Sequence, residues 1–321
     1  MSTKRVSFIL AIAMLLSVFT VAIPSISLTA EAESDVVVYE SHFENFSMNV
    51  GSDETERNFI WHSDSLTGYV DIAVRNGNTF PSEYTTVSTR LSRFNGKMVH
   101  RATVLGLDYD TEYVYRLRSD DYVSELRYFS TDSIDKFNFI YVGDPQMGAG
   151  NLTNNIANWT NTLNVATKMF PETSLLVSAG DQVEICTKPE FFAAFLAPKH
   201  LDSLAIATSI GNHDYNSNFH KNYFNSPNTT VDGKTYGESK AGGDYWYTYN
   251  NVLFMHINSC NISWAEHKEF MQKAIAANPD VTWKVVVTHY NFFGSNEYYK
   301  TKASPSAARS LLPSLKSLIS T

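Results

Sequence analysis

Apolar and polar positions alternate two apart through the first third of the chain. The pattern is read at 58–62, 69–74 and 112–117, and further strand-like runs lie at 35–39, 99–104 and 125–130. Period two sends successive side chains to opposite faces of a ribbon, so these runs predict strands. Turn residues such as Arg75-Asn76-Gly77-Asn78 separate them. No stretch of the segment has a helical period. Residues 35–131 are therefore expected to form an antiparallel all-β sandwich, with Trp61 and Tyr115 in its core. No set of Cys, His and carboxylates with metal-ligand spacing occurs in this segment.

The pattern changes after Thr131-Asp132-Ser133, which reads as a linker. Beyond it strands and helices alternate. Strands are expected at 137–142, 174–179, 204–210 and 283–288, and a hairpin at 245–249 and 252–258 turns at Asn250-Asn251. A helix is expected at 151–170, where Ile156, Trp159, Leu163 and Ala166 share one face. A short helix is expected at 189–196, another at 263–277, and a weaker one at 306–319. This alternation predicts a layered α/β domain over 136–321.

The N-terminus adds a destination. A basic start, Met1-Ser2-Thr3-Lys4-Arg5, precedes an uncharged apolar run over 6–21, and Ala30-Glu31-Ala32 supplies a cleavage pattern. Residues 1–32 read as a secretory signal peptide, so the mature chain is expected to be extracellular, with no membrane span left after cleavage. A permanent anchor is the alternative. Cys186 and Cys260 would then meet an oxidising compartment, where they either pair or stay buried as apolar residues. Glycan sequons stand at Asn45, Asn151, Asn158, Asn228 and Asn261.

Charge narrows the partners. Asp and Glu total 33 against 25 Lys and Arg, a net charge of −8, and no basic cluster appears. That argues against a nucleic-acid backbone as ligand. A phosphorylated substrate remains compatible if bound metal supplies the positive charge.

Four predicted strands end in polar residues. These ends are Gly143-Asp144-Pro145-Gln146, Gly180-Asp181-Gln182-Val183-Glu184, Gly211-Asn212-His213-Asp214, and His289-Tyr290. Strand C-termini are where open α/β sheets bind ligands. Carboxylates, an amide oxygen and imidazole suit Zn, Mn or Fe rather than a soft ion.

This ordered set resembles the signature of calcineurin-like metallophosphoesterases. The preceding β-rich segment, including Val99-His100-Arg101-Ala102-Thr103-Val104 and Tyr113-Val114-Tyr115-Arg116, looks like the fibronectin-III-like domain that precedes the catalytic domain of purple acid phosphatases. The resemblance implies a ββ sandwich flanked by helices and a centre of two transition-metal ions. It implies that Asp144 binds the first metal, Asp181 bridges both, and Asn212 and His289 bind the second. His213 would face the substrate's leaving group, with Asp214 positioning it.

Two departures qualify the resemblance. Purple acid phosphatases have Tyr three residues after the bridging Asp, where this chain has Glu184. Many relatives have His two residues after the first Asp, where it has Gln146. Glu184 and Gln146 are thus the two candidates for the first metal's third ligand, and without the phenolate no purple colour is expected. The closing Gly-His-x-His of the pattern has no counterpart in the chain, which reads as a partial domain, incomplete at the C-terminus. Of the other histidines, His256 is expected to be packed in a strand, His220 to lie within reach of a substrate, and His200 and His267 to be at the surface. The aromatics Tyr290, Phe292, Phe293, Tyr298 and Tyr299 suit either a rim over the site or plain packing.

The function expected from the sequence is a secreted dinuclear phosphoester hydrolase, of acid-phosphatase-like phosphomonoesterase type. The alternatives are an inactive member serving as a binding module, and a phosphodiesterase or nucleotidase on the same scaffold.

Overall fold

The computed structural model describes residues 37–291. The signal peptide, the helix expected at 306–319 and the aromatics Phe292, Phe293, Tyr298 and Tyr299 lie outside the described residues.

Ten strands build the first part. They are β1 (Val37–Val38), β2 (Glu44–Val50), β3 (Arg57–Ser63), β4 (Tyr69–Val74), β5 (Thr85–Ser88), β6 (Arg90–Phe94), β7 (Lys97–Val104), β8 (Glu112–Ser119), β9 (Tyr122–Val123) and β10 (Arg127–Ser130). One face carries the order β2-β3-β7-β6, and the other carries β1-β9-β8-β4-β5 with β10 also paired to β8. Met48, Phe59, Trp61 and Ala102 of the first sheet pack against Val70, Ile72, Tyr115, Leu117 and Phe129 of the second. Trp61 and Tyr115 are fully buried there, as expected.

The second part holds β11 (Phe139–Val142), α1 (Leu152–Met169), β12 (Leu175–Ser178), α2 (Pro189–Leu196), β13 (Ala205–Thr208), α3 (His220–Tyr223), β14 (Tyr245–Tyr249), β15 (Val252–Ile257), α4 (Trp264–Ala277) and β16 (Trp283–Thr288). Asn151 caps α1 by accepting the backbone N–H of Asn154. The expected hairpin forms, with Asn250 in the left-handed conformation at its turn. Strands β11, β12 and β13 pair in parallel, and β14-β15-β16 form a second sheet. Leu175, Val177, Ala205 and Ala207 of the first sheet meet Tyr245, Tyr247, Phe254 and Val287 of the second. Trp159, Leu163, Phe192 and Phe195 of α1 and α2 cover the outer face of the parallel sheet, and Phe270, Met271 and Ala274 of α4 cover the outer face of the other. The layers run helix, sheet, sheet, helix.

The two parts share a sheet. Strand β2 pairs in parallel with β13 at Asn49 and Ile206, giving the continuous order β11-β12-β13-β2-β3-β7-β6. Asn49 donates from Nδ2 to the Ile206 carbonyl at 3.3 Å and accepts the Asn225 N–H at 2.9 Å. Ser47 donates to the Tyr223 carbonyl at 2.9 Å. Hence β2 is a strand that the sequence pattern misses: Ser47 and Asn49 look solvent-seeking, yet both are buried and satisfied across the junction. The alternation read at 58–62 fails for the same reason. All seven residues of β3 are buried: the strand is paired on both sides, and its polar His62 bonds the Asn222 carbonyl and packs on Tyr223.

Among the described residues no helix is long and apolar enough to cross a membrane. Cys186 and Cys260 are both free thiols.

Candidate metal centre

Three parallel strands deliver three loops to one edge. β11, β12 and β13 end at Val142, Ser178 and Thr208, so the segments at 143–147, 180–184 and 211–214 emerge side by side. The backbone continues to bond after the strands stop. Asp144 N–H donates to Gly180, Gln146 N–H to Asp181 and Met147 N–H to Gln182, and Glu184 N–H returns to Met147. These bonds fix the first two loops without regular strand geometry.

Close approach of the second and third loops requires glycine. A Cβ on Gly211 would lie 2.0 Å from Asp181 Oδ1. Gly180 has φ of +113°, and a Cβ there would stand 2.9 Å from the Gly211 nitrogen. Asp144 and Asp181 themselves sit at φ of 53° and 54°, and Gln146 at 37°. Left-handed backbone at non-glycine residues is uncommon and clusters at functional sites.

The side chains converge. One ligand atom each from Asp144, Asp181 and His289 lies within 4.8 Å of the others. Nε2 of His289 is 3.1 Å from Asn212 Oδ1 and 3.3 Å from Asp181 Oδ2. Asp181 is buried while Asp144 is open to solvent, so the cluster has a closed side and an accessible one. Two carboxylates, an amide oxygen and an imidazole facing one point form a donor set that fits a borderline divalent ion. The protonation tendencies show the same crowding of negative charge. Burial lowers the affinity of His289 for a proton, but the bond to Asp181 and the charges of Asp181, Asp144 and Asp214 outweigh it and leave its pKa raised. Although Asp144 is exposed at its outer side, partial desolvation by the surrounding loops raises its pKa; the Asp181 charge adds to that and the His289 charge opposes it.

His213 lies beside this cluster, with Nε2 4.0 Å from Asp181 Oδ2. Its Nδ1 donates to the Glu184 carbonyl at 2.7 Å, and its backbone N–H donates to Asp181 Oδ1 at 2.8 Å. The Glu184 carboxylate stands 3.6 Å from the same Nδ1. The expectation that Asp214 positions His213 is therefore corrected. Asp214 Oδ2 accepts the backbone N–H groups of Asp181 at 2.7 Å and Gly211 at 2.9 Å. Its short side chain is fully buried behind the loops. Asp214 ties two loops together, and Glu184 holds the ring. Glu184 is thus engaged with His213 and falls outside the three-residue ligand cluster, while Gln146 contributes a backbone bond to Asp181.

The remaining histidines divide. His256 is packed within β15, as expected, and its Nδ1 meets Ser209 Oγ at 2.9 Å. His220 is buried in α3 and lines a cavity that contains none of the metal-centre residues. His200 is half-buried. His267 is not at the surface: it is fully buried, with Nδ1 2.7 Å from Asp244 Oδ2 and Nε2 2.8 Å from the Asn261 carbonyl. Helical periodicity cannot mark such a pair, because Asp244 comes from a distant loop. Tyr290, beside His289, is half-buried, and its N–H donates to Ser259 Oγ.

Residues 137–315 match the calcineurin-like phosphoesterase family. That match spans more than half of the chain, and the chain belongs to this family. Among solved structures, it is similar in fold to the purple acid phosphatase PPD1 isolated from yellow lupin (Lupinus luteus) seeds, with TM-score 0.66, 14% identity and coverage of 86% of this chain and 56% of that one. It is also similar to PhoD, with TM-score 0.56, 10% identity and coverage of 88% and 70%. The chain thus spans little more than half the length of the lupin enzyme. No curated protein matches its sequence.

Proposed function

We propose that the protein is a secreted, metal-dependent phosphoester hydrolase acting on phosphomonoesters through two ions of Fe, Zn or Mn. The observation that carries the proposal is the convergence of Asp181, Asn212 and His289, with Asp144 beside them, in a member of the calcineurin-like phosphoesterase family. In this reading Asp144, Asp181, Asn212 and His289 would hold the metal ions, with Asp181 placed between Asp144 and His289. Metal bound there supplies Lewis acidity toward phosphate oxygens and lowers the pKa of water. The protein's own groups do the rest. Because Glu184 fixes Nδ1 of His213, Nε2 is the ring atom that faces the site and carries a proton to the departing alkoxide. Asp214 keeps the second and third loops in register.

The net charge of −8 favours a phosphorylated small molecule over a nucleic acid as substrate. Export is supported by the basic start, the apolar run and Ala30-Glu31-Ala32. The N-terminal segment over 35–131 is read as fibronectin-III-like, supported by the order β2-β3-β7-β6 facing β5-β4-β8-β10.

The family's closing Gly-His-x-His has no counterpart in residues 1–321. A second reading is that the protein binds phosphorylated ligands without hydrolysing them. Rates on an aryl phosphate monoester and the matching diester, with Zn, Mn or Fe added, separate the readings. The expected result is metal-stimulated hydrolysis with the monoester preferred. Preference for the diester would favour a phosphodiesterase or nucleotidase. No metal-stimulated hydrolysis of either, here or in a longer chain carrying Gly-His-x-His, would overturn the proposal.

A further inference from the structure

Between the sandwich and the two catalytic sheets lies a cavity of about 390 Å³. It contains none of the residues of the metal centre. Its mouth is formed by Arg90 and Arg101 of the sandwich and Lys221 of α3, and no Asp or Glu lines it. Arg90 and Arg101 face each other directly across β6 and β7. Like charges in that position repel. Neither forms an ion pair with a carboxylate, and nor does Lys221, among the described residues. Arg101 instead donates to Ser92 Oγ, the Lys221 carbonyl and Asn222 Oδ1, all neutral acceptors. Three unmatched cations at one opening are notable in a chain of net charge −8.

The floor is also unsatisfied. His220 and His256 are 4% and 1% exposed, and the Nε2 of each has no hydrogen-bond partner among the described protein atoms. The same holds for Thr208 Oγ1 and Asn258 Oδ1, both in the cavity wall. Buried polar atoms are ordinarily satisfied, so four together leave hydrogen-bonding capacity for a polar group entering the cavity. The types of group define that ligand. The His220 ring is bonded to the backbone of Ala241, which takes its N–H. Since Nε2 is the unpartnered atom, the ring proton is on Nδ1, and Nε2 presents a lone pair. Asn258 donates from Nδ2 to the Gly237 carbonyl, so its Oδ1 likewise accepts. The mouth asks for negative oxygens and the floor asks for O–H groups.

We propose that this cavity binds a phosphate group that still carries a hydroxyl, as hydrogen phosphate or as the monoanion of a small phosphomonoester, at a site separate from the metal centre. Oxygens of the phosphate accept from Arg90, Arg101 and Lys221, and its P–OH donates to His220 Nε2. The volume lies within the range of about 300–1,000 Å³ usual for small-molecule sites. The wall at Thr208, Ser209 and Ile210 runs directly into Gly211-Asn212, so an occupant touches the backbone that carries a candidate metal ligand. The proposal stands whether or not the metal centre is catalytic.

Equilibrium dialysis with labelled inorganic phosphate tests it, on the metal-loaded protein and on protein treated with chelator. The expected result is one saturable phosphate site that survives chelation. R90Q, at an exposed position that leaves folding intact, should weaken that site about tenfold, and K221Q likewise, since a charge-assisted hydrogen bond contributes roughly 1.5 kcal/mol or more. Sulfate has no hydroxyl to offer His220 and should compete at least about tenfold less well than phosphate. Glycerol 3-phosphate distinguishes the two sources: tighter binding than inorganic phosphate assigns the site to a phosphomonoester, and weaker binding assigns it to free phosphate. Absence of a chelator-resistant site would overturn the proposal, as would R90Q and K221Q binding phosphate as the parent does, or sulfate competing as well as phosphate.

Discussion

The carboxylate of Asp214 accepts the backbone N–H of Asp181 at 2.7 Å, and the same oxygen accepts Gly211 N–H at 2.9 Å. One buried side chain therefore sets the spacing between a candidate bridging ligand and the loop that carries Asn212. Burial pushes its pKa up to about 7, while the two N–H bonds work against that shift.

Asp214→Ala should be costly in two ways. Two buried N–H groups lose their acceptor, which costs roughly 2–4 kcal/mol of stability. Metal affinity should fall as well, because the loops are no longer tied. Asp214→Asn keeps an amide oxygen for both donors and should retain most of each property. Denaturant unfolding and metal titration of the two variants check this, and equal losses would count against the loop-tying role.

His213→Ala should lower the rate by about 10²–10⁴ on an alkyl phosphate and by much less on a nitrophenyl phosphate, whose leaving group needs no proton. Steady-state rates on the two substrates are the readout. A uniform loss would assign His213 to positioning only. Since Glu184 holds the ring through its backbone carbonyl, Glu184→Gln should be mild by comparison.

His220 and His256 are both held neutral by burial, with pKa values lowered to about 3. For a histidine depressed on folding, the unfolded chain takes up the proton first. Their contribution to stability is therefore complete above the unfolded pKa near 6.5 and declines as pH falls toward about 3. At pH 5 the loss is roughly 2 kcal/mol for each residue. Unfolding free energy measured from pH 7.5 to 4.5 should fall, and His256→Gln should flatten the slope. An unchanged slope in the variant would count against a buried neutral His256.

The His267–Asp244 pair works in the opposite sense. Burial lowers the His267 pKa, but the bond to Asp244 and its charge prevail, and the net direction is up. Its contribution is complete below the unfolded pKa near 6.5 and is lost as pH rises through the folded value. His267→Ala strands a fully buried carboxylate that also accepts the Asn258 N–H, and should cost about 3–5 kcal/mol. Thermal unfolding at pH 6 and pH 9 checks both statements: the gap between parent and variant should narrow at the higher pH.

Much of this architecture is legible in the sequence because the strand ends announce themselves. Gly-Asp after β11 and β12, and Gly-Asn-His-Asp after β13, mark both the ends of strands and the chemistry that follows. What pattern cannot supply is contact across the fold. Ser47 and Asn49 look like loop residues until β13 is laid beside β2. His267 looks like one more polar position on α4 until Asp244 arrives beneath it. The same limit applies at the site. Sequence adjacency suggests that Asp214 serves its neighbour His213, whereas the folded loops give the imidazole to Glu184 and give Asp214 to the backbone.

The most direct measurement of the central claim is metal-dependent hydrolysis of an aryl phosphate monoester, followed through chelation and restoration in the parent and in Asp181→Asn. Activity should disappear with chelator, return with Zn, Mn or Fe, and fail to return in Asp181→Asn while that variant remains folded. Hydrolysis that persists after chelation, or that returns fully in Asp181→Asn, would contradict a metal centre built on Asp181.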